Sequence, residues 1–263
     1  MSVGEYLKGM LDILLPRQCA VCGRRLLLRE SHICTECLAD FPQTYFFLQE
    51  HNPMADRFNA VIQQGIEADM DCGQRPRLQM YEYALALYYY KDGYKNLSKG
   101  LKYDADIALG RFIAAALGRK VALCSYLADV DLVIPVPLHW HRKLKRGYNQ
   151  AEIIANEVVR NITATGRECR MESRLLQRHR RTASQALLDV GKKAENVRGA
   201  FSLREEKLPS SVRHILIVDD VFTTGSTLGE CHRAIRGAIV RRFGPEKASS
   251  VRISAATLAF VGD

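Results

Sequence analysis

No stretch of this 263-residue chain stays apolar for the roughly 18 residues that a membrane-spanning helix needs. The run from Val3 to Leu15 comes nearest to a leader, but Glu5, Lys8 and Asp12 break it, so no secretory apolar core forms. Its apolar positions, Tyr6, Leu7, Met10, Leu11 and Leu14, recur at helical spacing and predict a short amphipathic helix packed on the rest. With nothing directing export, the expected compartment is the cytoplasm. Internal repeats are absent as well, which excludes a solenoid or a propeller. Acidic residues are in deficit: 29 stand against 38 lysines and arginines, leaving a net charge of +9. Such an excess suits phosphate-rich partners, although it can equally do no more than solvate a surface.

Four of the cysteines form one pattern: Cys19-x-x-Cys22, eleven residues, then Cys34-x-x-Cys37. Two knuckles at this separation place four thiolates around Zn²⁺, and Gly23 supplies the turn that the first knuckle needs. So short a segment buries little apolar area, and a metal makes up the missing folding energy. Two disulfides or a redox-active pair are the competing readings. The expected compartment argues against the first, and the second leaves one pair unused. His32 lies inside the loop and is expected at the surface. Cys72, Cys124, Cys169 and Cys231 have no neighbour at ligand spacing, and Cys124 and Cys231 read as packing residues.

From Phe41 to Arg77 prolines punctuate a connector with no long periodic pattern, in which Tyr45, Phe46 and Phe47 are candidates to dock the cysteine module. Strands are expected at Tyr81–Tyr90, Leu132–Ile134, Phe201–Leu203, Ile215–Val218 and Val251–Phe260. Helices are expected at Tyr94–Lys102, Asp106–Leu117, Gln150–Ile162 and Ser226–Arg242. Strands alternating with helices imply an α/β fold with a largely parallel sheet covered on both faces.

The most telling run is Ile215-Leu216-Ile217-Val218-Asp219-Asp220-Val221-Phe222-Thr223-Thr224-Gly225-Ser226-Thr227. An apolar strand that stops at two carboxylates holds acids at the carboxyl edge of a sheet, where open α/β folds bind ligands. Thr223, Thr224, Ser226 and Thr227 offer hydroxyls beside the free N–H groups of a helix start, and Gly225 allows close backbone approach. Together they make a phosphate cradle. Asp219 and Asp220 are suited to ribose hydroxyls, or to the water shell of a Mg²⁺ that bridges sugar and pyrophosphate. The run resembles the 5-phosphoribosyl-1-pyrophosphate (PRPP) motif of type I phosphoribosyltransferases. A second loop, Pro135 to Gln150, leaves a strand and enters a helix carrying Arg142, Lys143, Lys145 and Arg146 ahead of Gly147. Beside the first loop it is a candidate pyrophosphate site, with Arg142, Arg146 and Gly147 in contact. A third basic segment, Arg174 to Phe201, holds Arg178, Arg180, Arg181 and Lys193 and reads as a lid or a DNA-contacting surface.

Lys102-Tyr103, Pro135-Val136-Pro137-Leu138-His139, Arg146-Gly147-Tyr148-Asn149-Gln150, Thr182-x-x-Gln185 and Asn196-Val197 join the cysteine pairs and the acidic run in one order. In that order the chain resembles the ComF family, which includes the GntX type, from Leu14 onward. The resemblance implies a zinc finger and amphipathic helix over 1–45, a connector over 46–80 and a type I phosphoribosyltransferase domain over 81–263. It also implies PRPP with Mg²⁺ as ligand, and a link to uptake of single-stranded DNA and its uptake proteins in natural transformation. Lys193 departs from the family, whose members usually carry arginine there. Two functions stay open. One is a PRPP-binding protein serving DNA uptake. The other is an active phosphoribosyltransferase that transfers the sugar from PRPP to a nucleobase or amine, with Asp219 and Asp220 as catalytic groups and no DNA role. No residue stands out as a general base.

Overall fold

The computed structural model describes residues 16–69, 80–91, 94, 107–138, 147–179 and 198–262. The N-terminal amphipathic segment, Cys72 and nearly all of the segment Tyr94–Lys102 lie outside them, as do Arg142, Arg146, Arg180, Arg181 and Lys193.

Residues 16–40 form the cysteine module, whose short helix α1 (Thr35–Ala39) starts at Cys34. Next come helix α2 (Pro53–Ala68), strand β1 (Ala84–Tyr89), helix α3 (Ile107–Leu123), strand β2 (Leu132–Pro135) and helix α4 (Gln150–Thr163). They are followed by β3 (Arg170–Met171), β4 (Leu176–Arg178), β5 (Phe201–Leu203), β6 (His214–Phe222), α5 (Ser226–Ser250) and β7 (Arg252–Phe260). Five strands make a parallel sheet in the order β1-β7-β6-β2-β3. Strands β4 and β5 pair antiparallel apart from it, so Phe201–Leu203 belongs to a separate ribbon.

This order fixes where ligands go. From β2 the chain runs through α4 to β3 on one side, whereas from β6 it runs through α5 to β7 on the other. The connections diverge between β2 and β6, which makes that gap the topological switch point of the sheet. Crossovers of one hand in opposite directions place their helices on opposite faces. Accordingly α3 packs along α4, and α2 along α5. With both faces covered, the middle strand has no polar alternation: Ile215, Leu216, Ile217 and Val218 are all fully buried.

Strands β3 and β4 were not expected from the sequence, and three further elements differ from its reading. The connector contains a 16-residue helix, α2, which buries Met54, Ala55, Phe58 and Ile62. Asn52 caps it by accepting from the N–H groups of Met54 and Ala55, at 3.1 and 3.0 Å. Pro53, read as a breaker, occupies the first turn, where a missing N–H costs nothing. Strand β6 does not stop at the acids but continues to Phe222, because β7 pairs with it as far as Phe260. Its pairing with β2, however, ends at Val218. Helix α5 continues past Arg242 through a kink at Gly244 (φ +87°), where Pro245 restarts it.

The outer edge of β1 is closed by residues 42–44. Gln43 bridges Tyr88 antiparallel, the Tyr89 N–H donates to Pro42 O at 2.8 Å, and Thr44 Oγ1 donates to Ala86 O at 2.5 Å. Phe46 is buried against Tyr89 and Phe260, whereas Tyr45 is exposed.

Candidate functional site

The acids Asp219 and Asp220 follow the last β2-paired residue of β6, so they stand at the carboxyl edge beside the switch point. Both are partly exposed, and the Asp220 N–H donates to Asp219 Oδ1 at 2.8 Å. As neighbours on a strand they project to opposite sides, so they act as two separate groups. Near them lies Tyr94, whose hydroxyl is held well above its usual range by burial first and by the charge of Asp220 second.

Beyond Phe222 the chain turns through Thr223 and Thr224 into Gly225, whose φ of +81° is left-handed. Gly225 opens α5, and its carbonyl accepts from the Gly229 N–H at 2.8 Å. Thr224 Oγ1 and Ser226 Oγ are hydrogen-bonded at 2.9 Å, and Thr227 follows in the first turn. The positive end of the helix dipole and a row of hydroxyls therefore meet within five residues, Thr223 to Thr227. Close approach at Gly225 comes from inside the protein: an added Cβ would meet Phe222 Cζ at 2.7 Å and Val61 Cγ2 at 3.2 Å.

The loop after β2 emerges at the same edge. Buried Asn149 ties its two ends, donating from Nδ2 to Val136 O at 3.1 Å and accepting from the Ala151 N–H at 3.2 Å. It is also the N-cap of α4, which explains an Asn in that position of the motif. Gly147 has φ +77°, as a sharp re-entry to the helix requires. Of the third basic segment, Arg178 ends β4 with its guanidinium over the Phe201 ring, 5.2 Å from its centroid.

In the N-terminal module the thiols of Cys19, Cys22, Cys34 and Cys37 all lie within 4.8 Å of one another. Four sulfurs around one Zn²⁺, each at about 2.3 Å, stand about 3.8 Å apart. Cys22 Sγ and Cys34 Sγ are separated by 3.8 Å. None of the four is in a disulfide. Cys19 Sγ accepts from the N–H groups of Val21 and Cys34 at 3.4 and 3.3 Å, and Cys34 Sγ from that of Cys37 at 3.4 Å. Burial raises the Cys19 thiol, but the N–H groups outweigh it and bring it down to about 6. Burial and the neighbouring thiols push Cys37 the other way. Gly23, at φ +73°, makes the expected knuckle turn, with its N–H on Cys19 O at 2.9 Å. His32 is half-buried, with its ring 5.6 Å from that of Phe112 on α3.

Two residues of these sites went unread in the sequence. Glu30, nearly buried, accepts from the N–H groups of Leu27 and Thr35 at 2.8 and 2.7 Å and so holds the module together around the thiols. Those N–H groups bring its carboxyl down to about 2. Arg57 of α2 donates to Val261 O at 2.8 Å and reaches the cradle loop at Thr223 O, 3.5 Å away. A cavity of about 720 Å³ opens at the opposite, amino edge, lined by Asp131, Arg167, Arg170 and Arg213. Arg167 there donates to the carbonyls of Ala122 and Ala128 at 2.9 and 3.0 Å, and the cavity has no part in the site.

Fold and site together define a class: a parallel α/β protein with acids and a hydroxyl-rich helix start at its switch point, joined to a four-cysteine module able to hold a metal. No protein-family model matches the chain. DNA utilization protein YhgH of Escherichia coli O6:H1 is 39% identical over 125 residues, 45% of this chain and 52% of that protein. Competence protein F of Haemophilus influenzae is 34% identical over 131 residues, 50% of this chain and 55% of that protein. The YhgH protein of Salmonella typhimurium is 26% identical over 225 residues, 82% of this chain and 89% of its own length. In the first two, the match spans about half the length of the relative. The chain is thus homologous to ComF-family proteins, the family its motifs resemble. Among the described residues, no helix is long and apolar enough to cross a membrane.

Proposed function

We propose that this protein binds PRPP at the carboxyl edge between β2 and β6 and serves the handling of single-stranded DNA. The observation that carries the reading is the run Asp219 to Thr227, in which acids, a left-handed glycine and a helix start share the switch point. Thr223 to Thr227 hold the 5-phosphate through hydroxyls and N–H groups. Asp219 and Asp220 orient the ribose hydroxyls, and Arg142, Arg146 and Gly147 receive the pyrophosphate. Mg²⁺, when bound, neutralises pyrophosphate charge, and its water shell suits the two carboxylates. In the module, four thiolate donors at tetrahedral separations fit Zn²⁺ in a structural role.

The DNA role is supported by the names of the relatives, Competence protein F and DNA utilization protein, and by the net charge of +9. Basic segments at 142–146 and 178–181 supply the phosphate contacts. The logarithm of single-stranded DNA affinity then falls with log salt by roughly 0.7 per phosphate neutralised. Replacing Arg178, Arg180 and Arg181 by glutamate weakens DNA binding more than PRPP binding, as fluorescence anisotropy and calorimetry would read. Absence of DNA binding near 0.1 M salt (roughly the ionic strength at which the screening length is about 10 Å), with consumption of PRPP by an added nucleobase, would instead establish a small-molecule phosphoribosyltransferase.

A further inference from the structure

Helix α2 meets the candidate phosphate loop at two positions one turn apart. Arg57 donates to Val261 O at 2.8 Å and, more loosely, to Thr223 O at 3.5 Å. Its guanidinium lies over the Phe260 ring, 5.1 Å from the centroid, so the ring as well as the carbonyls holds it in place. Val61, four residues on and therefore on the same helical face, fills the space that side chains at two glycines of the loop and helix would need. A Cβ on Gly225 would come within 3.2 Å of it, and one on Gly229 within 2.5 Å. Arg57 and Val61 thus touch the loop at Thr223, Gly225 and Gly229, which span the start of α5.

We infer that α2 forms the back wall of the phosphate loop and that Arg57 is a positioning residue for a sugar monophosphate; this rests on the PRPP reading above. The reason is the geometry of the peptide unit. In a trans peptide the carbonyl and the following N–H point in opposite directions, and the described chain has no cis bond. With Thr223 O drawn toward Arg57 on α2, the Thr224 N–H is turned away from α2, to the side on which an anion at the α5 N-terminus sits. Val61 limits how far that loop can retreat. The cation also lies behind the loop without entering it, so it favours a dianionic monoester over the empty site while leaving the hydroxyls to make the contacts. Pyrophosphate, held by the other loop, does not depend on this wall.

The test compares ligands on the full chain by titration calorimetry, with ribose 5-phosphate and with inorganic pyrophosphate plus Mg²⁺. Arg57→Gln is expected to weaken ribose 5-phosphate at least tenfold and to leave pyrophosphate within twofold. Arg57→Lys, which keeps the charge and a donor, is expected to recover part of the loss. Val61→Leu, which crowds Gly225 and Gly229 without touching Arg57, is expected to weaken ribose 5-phosphate alone, and it serves if Arg57→Gln does not fold. Ribose 5-phosphate binding unchanged in Arg57→Gln and Val61→Leu, or loss of both ligands alike, would overturn the inference while leaving the PRPP reading standing. Failure of the unaltered protein to bind ribose 5-phosphate would overturn both.

Discussion

Buried ionisable side chains set the pH response of this protein. His214 on β6 is fully buried, bonded through Nδ1 to Asp129 Oδ1 and through Nε2 to Ser254 Oγ, both at 2.8 Å. The order Ser-His-Asp has the look of a hydrolytic triad, but Ser254 is 1% exposed and no substrate reaches it. Burial lowers His214 below its ordinary 6.5 and outweighs Asp129, which raises it; Arg252, ion-paired with Asp129, lowers it further. Burial likewise lowers His232, which faces Glu82 and Arg236. A histidine held neutral in the fold takes up its proton on unfolding, so stability is complete well above 6.5 and declines as pH falls below it. Glu82 acts in the same direction at lower pH: burial opposes its ionisation, but His232, Arg236 and the Ile253 N–H hold it below the usual carboxylate range. The urea midpoint is therefore expected to be lower at pH 5.5 than at pH 7.5, and His214→Gln to flatten that difference. Equal midpoints for the unaltered protein would contradict this. At this scale the sequence showed the residues whose partners are near in the chain, such as Asp219, Thr224 and the cysteines. It hid Arg57, because its partners Thr223 and Val261 lie 166 and 204 positions away.

Among the elements, the cysteine module is the one that cannot stand on apolar burial. Its buried apolar side chains within 16–40 are Leu26 and Ile33, beside Cys19 and Cys34, and Leu27, Leu28 and Leu38 are exposed. A metal held by the four thiols is then expected to be the main source of its order. Elemental analysis is expected to find one zinc per chain. A strong chelator should unfold the module while the sheet keeps its cooperative transition. Much less than one equivalent of zinc in intact protein, or disulfides among the four cysteines, would refute this. The parallel sheet and helices α3, α4 and α5 were legible because each has a long apolar period and is flanked by turn residues. Helix α2 was not, because Pro42, Pro53 and Pro76 punctuate that stretch, which reads as a connector. Its own signal was an Asn-Pro start followed by apolar residues at 54, 58 and 62, a spacing of four. The overrun of β6 to Phe222 was illegible for another reason: it depends on how far β7 extends beside it, which no local pattern in β6 reports.

For the whole molecule, the decisive feature is that two loops from adjacent parallel strands open at one edge while their helices depart to opposite faces. That arrangement follows from strand order, and it turns the separate motifs at 135–150 and 219–227 into one candidate site. The cavity at the amino edge has arginines but no such convergence of loops. Residues 42–44, which follow the cysteine module, close the edge of β1 at the far side of the sheet. Whether the switch-point edge binds PRPP through Asp219 and Asp220 is decided by calorimetric titration of PRPP with Mg²⁺. Saturable binding by the unaltered protein is expected. The double variant Asp219→Ala, Asp220→Ala is expected to lose at least tenfold in affinity, since one charge-assisted contact alone is worth roughly 1.5–3 kcal/mol. Equal affinity in a folded double variant, or no binding by the unaltered protein, would contradict PRPP binding through these acids.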